Sequence, residues 1–304
     1  MRALVISGGG SKGAFAGGVA QYLMEELSHD YDLFVGTSTG SLLISHLALH
    51  KVEKIKKVYT SVNQNSIFSN RPFNIKKGKY GSMEIGINHF SVLRNFLRGS
   101  KTFGESFNLK KLIKETLTEA EFNELKQSNK DVVVTVSNLS LNQVEYKSIN
   151  DFNYDDFCDW IWISCNYIPF MSLVKKDNCE YADGGFGSMV PIEEAIERGA
   201  TTVDVIILET EVTYYNRLPS KNVFSLLTHM HAYMIDRIEK QNIRIGKYVA
   251  VNKDAIINFY YTPTVLTTNS LIFNQEKMTQ WWQSGFNFAK QKNTELNEIK
   301  AKES

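Results

Sequence analysis

The opening forty residues constrain the fold of this chain more than any other stretch. Twice within them an apolar run ends in a glycine turn and enters a helix-like segment. The first unit is residues 2–7, then Gly8-Gly9-Gly10-Ser11-Lys12-Gly13, then residues 14–20. The second is Leu33-Phe34-Val35, then Gly36-Thr37-Ser38-Thr39-Gly40, then residues 41–45. Strands that feed helices through tight turns, without hairpin signals between them, begin an α/β fold.

The chain continues this alternation. Hydrophobic periodicity predicts helices over 14–27, from Thr39 to about Lys51, and over 51–61, 108–126, 155–168, 191–198, 221–250 and 274–298. It predicts strands at 131–137, at 144–149 on an edge, from Cys179 into Asp183-Gly184-Gly185, at 203–208 and at 255–261. The adjacent Gly17 and Gly18 cost helix stability and so point to a close approach of the first helix to the sheet. Trp281-Trp282, Phe286 and Phe288 recur at helical spacing and read as core. Residues 63–108 mix Asn, Gly, aromatics and the basic cluster Lys76-Lys77-Gly78-Lys79-Tyr80; they read as irregular surface with one or two short helices around 89–98. The expected class is α/β, three-layer α/β/α, with a largely parallel central sheet covered on both faces.

Composition narrows the partners. The 304 residues suffice for a sizeable core, and no Pro-rich, Ser-rich or one-sign charge run divides them. A net charge of +1 argues against a generally basic nucleic-acid binder. Cys158, Cys165 and Cys179 form neither a disulfide framework nor a C-x-x-C pair, so buried thiols are expected and no metal or cofactor. The first strand begins almost at Met1, which leaves no room for a signal peptide. The apolar-biased run 33–49 carries Thr, Ser and His and is shorter than the ~20 residues of a membrane span. A cytoplasmic protein, at most peripheral at a membrane, is the expectation.

Chemistry concentrates at the two glycine turns. Gly36-Thr37-Ser38-Thr39-Gly40 is a G-x-S-x-G nucleophile elbow, in which glycines flank a serine on a crowded turn. Ser38 then stands at a strand end and a helix N-terminus, where unpaired N–H groups favour developing negative charge. The Gly8-Gly9-Gly10 run lets backbone N–H groups point into one concavity, a candidate oxyanion hole, with the Lys12 cation beside it and Gly13 closing the loop.

Ser38 needs a base. Six histidines are present: His29, His46, His50, His89, His229 and His231. Asp183 with His229 or His231 has the chain order of an α/β-hydrolase triad, but both histidines sit in a helical pattern, and that fold places several strands before its elbow. Asp183 itself ends a strand, so its carboxylate can reach the C-terminal edge of the sheet. At its ordinary pKa of about 3.9 a carboxylate is a poor base. A dry site and direct contact with the serine hydroxyl would be required.

Together these segments resemble the patatin-like phospholipases, whose pattern is D-G-G-G-x-[RK]-G, then G-x-S-x-G, then a late D-G-[GA]. Here they read Ser7-Gly8-Gly9-Gly10-Ser11-Lys12-Gly13, Gly36-Thr37-Ser38-Thr39-Gly40 and Asp183-Gly184-Gly185, with Asp183 following Ser38 by 145 residues. Ser164-Cys165-Asn166-Tyr167-Ile168-Pro169 and Val190-Pro191-Ile192 are similar to flanking segments of that family. Ser7 replaces its leading Asp, and Asn166 stands where a small residue is usual. The resemblance implies a single patatin-like domain over 1–304, with the motif core at 1–208, residues 63–108 as a cap or lid and 221–304 as an extension. It implies a lipid acyl hydrolase of the phospholipase A or lysophospholipase type, acting on phospholipid or another acyl ester with transient membrane contact. Ser38 would be the nucleophile and Asp183 the proton acceptor. Backbone N–H groups among Gly8, Gly9, Gly10 and Thr39 would hold the oxyanion, Lys12 would fix the loop or meet a lipid phosphate, and Gly36 and Gly40 would shape the elbow.

Two other readings use the same residues. Gly8-x-Gly10-x-x-Gly13 after a strand is also a dinucleotide-binding fingerprint, with Asp30 or Asp32 as the acid, although both precede the second strand. The fold could also serve as a catalytically silent binding module.

Overall fold

A computed structural model describes residues 1–77, 83–212 and 223–303. In chain order its elements are β1 (Arg2–Ile6), α1 (Gly13–Gln21), β2 (Leu33–Thr37), α2 (Thr39–Ala48), α3 (Val52–Ser61) and α4 (Gln64–Ile67). Next come β3 (Phe73–Lys77), β4 (Met83–Ile87), α5 (His89–Leu97), α6 (Phe107–Thr116), α7 (Glu119–Gln127), β5 (Asp131–Asn138), β6 (Gln143–Ser148) and α8 (Tyr154–Ser164). The chain continues with β7 (Val174–Lys176), β8 (Cys179–Asp183), α9 (Ile192–Glu197), β9 (Thr202–Ile207), α10 (Val223–Asn252), β10 (Ile256–Tyr261) and α11 (Gln275–Glu303).

Eight strands form one sheet in the order β10-β9-β1-β2-β5-β8-β7, with β6 also paired to β5. The run β10-β9-β1-β2-β5 is parallel, while β6 and β8 lie antiparallel to β5. Side chains alternate across the sheet as strand pleating requires. Leu4, Ile6, Phe34, Val132 and Val134 pack with α1, α2, α8 and α11 on one face. Ala3, Val5, Leu33, Val35 and Val133 pack with α9 and α10 on the other. This is the expected three-layer α/β/α arrangement.

Several local features differ from the sequence expectation. The close approach at Gly17 and Gly18 is to α11 rather than to the sheet: a Cβ on Gly18 would lie 2.8 Å from the Phe286 nitrogen, and one on Gly17 would strike the Trp282 ring. The first helix is α-helical only to Gln21; beyond it Leu27 N–H reaches the Tyr22 carbonyl, an i→i+5 bond. The expected helix over 108–126 is two, α6 and α7. Thr118 and Glu121 restart the chain with a reciprocal capping box. Within 63–108 the helix expected around 89–98 is present as α5, and the structure adds α4 and a hairpin of β3 with β4, which irregular composition concealed. Of the basic cluster, Lys76 and Lys77 fall in β3, and Gly78, Lys79 and Tyr80 lie outside the described residues, as do Lys221 and Asn222 before α10. Among the described residues no helix is long and apolar enough to cross a membrane.

Candidate active site

Sheet register delivers Ser38 to Asp183. On β5, Thr135 pairs with Thr37 of β2, and the next residue, Val136, pairs with Asp183 of β8. Because β6 occupies the opposite edge of β5 along both stretches, β2 and β8 share one edge and end facing each other. The residue after Thr37 is Ser38.

The elbow is held by its own backbone. Ser38 has φ +53° and ψ −118°, a conformation that side chains rarely adopt and that persists only where surroundings fix it. A Cβ on Gly36 would lie 2.6 Å from the Gly40 carbonyl carbon, and one on Gly40 would run into the Ile6 carbonyl oxygen, so both flanking positions need glycine. The Ser41 hydroxyl donates to the Gly36 carbonyl at 2.9 Å, and the Ser38 N–H donates to the Ser164 hydroxyl at 2.9 Å. Cys165 Sγ donates to the Ser38 carbonyl at 3.1 Å.

With its backbone groups so engaged, Ser38 lies with Asp183 on the lining of one cavity, its hydroxyl near enough to act on the Asp183 carboxyl. Asp183 is buried, its N–H donates to the Asn166 carbonyl at 3.0 Å, and its Oδ1 accepts the Gly185 N–H at 2.8 Å. Burial pushes its carboxyl up to about 7; the nearby Ser38 hydroxyl and the Gly185 N–H act in the opposite sense, and no histidine contributes. Asn166 is absorbed structurally, donating to the Trp162 carbonyl at 3.0 Å and accepting from the Ser106 hydroxyl at 2.5 Å.

The glycine loop lies beside the elbow. Ser7, in the position of the family's leading Asp, ties the loop to the strand next to β1: its hydroxyl accepts the Leu208 N–H at 3.0 Å. The Gly8 N–H is spent on the Met189 carbonyl at 3.3 Å, so Gly8 shapes the loop and is not a free donor. Among the described residues the N–H groups of Gly9, Gly10 and Thr39 take no hydrogen-bond partner, and all three residues line the same cavity as Ser38 and Asp183. Gly10, at φ +55°, presents its carbonyl to the hydroxyls of Thr39 and Tyr59. Lys12 is buried and paired with Glu209, directly beyond β9.

The cavity measures about 860 Å³. From the layer of α2, α3, α6 and α8 it receives apolar side chains, among them Leu42, Ile55, Leu109, Leu112, Ile113 and Ile161. His46 lies on that side with Nε2 3.2 Å from the Thr116 carbonyl, and burial lowers its pKa, so it is a neutral wall residue. From the opposite layer α10 supplies His229, Asp236 and Glu239. Burial, reinforced by Glu209, pushes the Glu239 carboxyl up to about 8. Sequence reasoning missed Glu209 and Glu239. The first had a readable signal, an acid just past the end of a buried strand, much as Asp183 ends one.

The remaining candidates disperse. His231 packs against Tyr167, Phe170 and Phe186, and its Nδ1 is 3.0 Å from the Leu227 carbonyl. His29 stands with Arg2 beside Asp204. Asp30 pairs with Lys130, and Asp32 accepts the Arg2 N–H at 2.8 Å. Both acids therefore sit at the N-terminal end of the parallel strands, across the sheet from the glycine loop, where a ribose bound at that loop would not meet them. Among the described residues no group of three or more His, Cys, Asp and Glu side chains is placed to hold a metal ion.

A family model described as patatin-like phospholipase matches residues 4–196. Over 220 residues the chain is 25% identical to the uncharacterized protein YjjU of Escherichia coli (strain K12), across 70% of this chain and 53% of that protein. The chain thus spans about half the length of that curated relative. Among solved structures it is similar to VipD from Legionella pneumophila, with a TM-score of 0.49 and 15% identity over 95% of this chain and 66% of that one.

Proposed function

The chain belongs to the patatin-like phospholipase family, and we propose that it is a lipid acyl hydrolase in which Ser38 and Asp183 act as a dyad without histidine. The observation that carries this reading is that the sheet register sets Ser38, on its strained elbow, beside the buried Asp183 at one apolar-walled cavity.

The ester's acyl chain lies along Leu42, Leu109 and Ile113, and its alcohol portion faces Glu209 and Glu239. Ser38 Oγ attacks the ester carbonyl carbon while its proton passes to the Asp183 carboxylate. Negative charge forming on the carbonyl oxygen meets the N–H groups of Gly9, Gly10 and Thr39, which are held in place before the reaction. Collapse breaks the bond to the alcohol, which leaves with the proton from Asp183, and the acyl group remains on Ser38. Water then attacks the acyl-enzyme, gives its proton to Asp183, and the fatty acid departs as Oγ recovers that proton. A base of pKa about 7 holds a proton in transit far better than an ordinary carboxylate. Lys12, committed to Glu209, serves as a brace of the loop in this scheme.

The test is labelling of wild type and Ser38→Ala with a fluorophosphonate, with hydrolysis of a p-nitrophenyl acyl ester read in parallel. Labelling and turnover in wild type, both lost in Ser38→Ala, are expected. A folded wild type that neither labels nor turns over would overturn the reading and favour a silent binding module.

A further inference from the structure

Helix α5 is built inside out. Its polar residues Ser91 and Asn95 are 6% and 3% exposed, while Phe90, Leu93, Phe96 and Leu97 are 77%, 57%, 76% and 76% exposed. The inward polar face is satisfied: the Ser91 hydroxyl donates to Asn70 Oδ1 at 2.5 Å, Asn70 Nδ2 donates to Asn95 Oδ1, and Asn95 Nδ2 donates to the Phe103 carbonyl at 3.0 Å. A surface helix ordinarily turns its apolar stripe to the core. Here a hydrogen-bonded anchor fixes the reverse orientation. Phe90, Leu93 and Leu97 recur at i, i+3 and i+7 on one face, with Phe96 three residues beyond Leu93.

We propose that this face of α5 docks the protein on an anionic lipid surface. Charge selects the occupant. From Ile85 to Gly104 the chain contains no Asp or Glu, whereas Arg94 and Arg98 stand among the exposed apolar residues. Neither arginine forms an ion pair among the described residues. Phe and Leu on one face with arginines beside them suit a helix lying in the boundary between headgroups and acyl chains. Position agrees: the hairpin leading into α5 contributes Phe73 and Ile85 to the cavity wall, and Phe103 beyond it packs edge-on against Phe170, another wall residue. Docking would therefore bring the cavity to the bilayer. The choice of lipid over protein rests on the lipid-ester reading of that cavity.

Flotation with vesicles tests this, using the full chain carrying Ser38→Ala so that no lipid is consumed. Vesicles of phosphatidylcholine alone are compared with vesicles of phosphatidylcholine and phosphatidylglycerol. The parent is expected to bind the anionic vesicles at least about tenfold better. Phe90→Ser with Phe96→Ser lowers binding to both by at least about tenfold. Arg94→Gln with Arg98→Gln reduces only the anionic binding, to the neutral level. These positions face outward, and thermal melts report whether each variant folds. Absence of vesicle binding by the parent, or binding indifferent to the phenylalanine pair, overturns the proposal. So does a concentration-dependent dimer in sedimentation that the phenylalanine pair converts to monomer, because the face would then be a protein interface. Vesicle binding with no ester turnover by wild type would remove the hydrolase reading and leave the docking face standing.

Discussion

The Tyr59 hydroxyl donates to the Gly10 carbonyl at 2.6 Å, from α3 to the loop beside the elbow. The Thr39 hydroxyl reaches the same carbonyl at 2.9 Å. The plane of the Gly10 carbonyl also carries the Ser11 N–H, which donates to the Ser270 carbonyl, so these bonds together pin the loop on the C-terminal side of the Gly10 N–H. Tyr59→Phe keeps the buried ring and removes that donor. The expected result is a fall of about tenfold in kcat with KM little changed, the size of one hydrogen bond to a positioned group. A loss confined to KM would assign Tyr59 to substrate binding instead.

Ser38→Ala removes the hydroxyl proposed to carry the acyl group. Asp183→Asn preserves shape but cannot take a proton. Each is expected to lower ester turnover by about 10³-fold or more while the far-ultraviolet circular dichroism stays that of wild type. Wild-type-like turnover in either would remove that residue from the dyad.

The raised Asp183 pKa gives a pH profile. The base works only when ionised, so log kcat/KM should climb with unit slope below about pH 7 and level off above it. A profile flat from pH 5 to 8 would mean that Asp183 is ionised throughout or not the base.

The same shift predicts a stability change of opposite sense. Unfolded, the carboxyl returns to its ordinary value of 3.8, so between there and about 7 the folded state holds a proton that the unfolded state has lost. Stability present at low pH is thus lost as pH rises through that window. Asp183→Asn carries no charge to bury. Its Tm should exceed that of wild type at pH 8, with the gap closing toward pH 4. Equal Tm values at pH 8 would show that burial of the carboxylate costs the fold nothing.

The parts of this protein that could be read in advance are those where backbone geometry dictates residue type. Gly36 and Gly40 are glycines because a Cβ would meet backbone, and such collisions leave a motif. Strands β1, β2, β5 and β9 are buried on both faces, so they appear as largely apolar runs, broken in β9 by the buried Asp204. What the linear order hides is pairing. Nothing local shows that β8 continues the edge that β2 leaves, which is what brings Asp183 to Ser38. The division between α6 and α7 was visible in Thr118-Glu119-Ala120-Glu121, a capping-box pattern that apolar periodicity overrode. Helix α5 was legible as a helix but not in its orientation: its apolar period is genuine, and only the structure shows that the period faces outward.

The apolar wall sets a last expectation, for chain length. Ile113 is buried at the wall of the cavity, one helical turn from Leu109 and Leu117, which line it too. Each methylene that leaves water contributes about 0.8 kcal/mol, so long acyl chains should react with higher kcat/KM until the cavity ends. Ile113→Trp would fill part of that length. Blocking about four methylenes removes ~3 kcal/mol, or about 10²-fold, from a long-chain p-nitrophenyl ester. A butyryl ester, too short to reach the obstruction, should lose far less. Kinetics across a series of p-nitrophenyl esters from four to sixteen carbons would show the preference moving to shorter chains. A uniform loss at every length would instead indicate general damage to the fold, and an unchanged series would mean that the acyl chain takes another route out of the site.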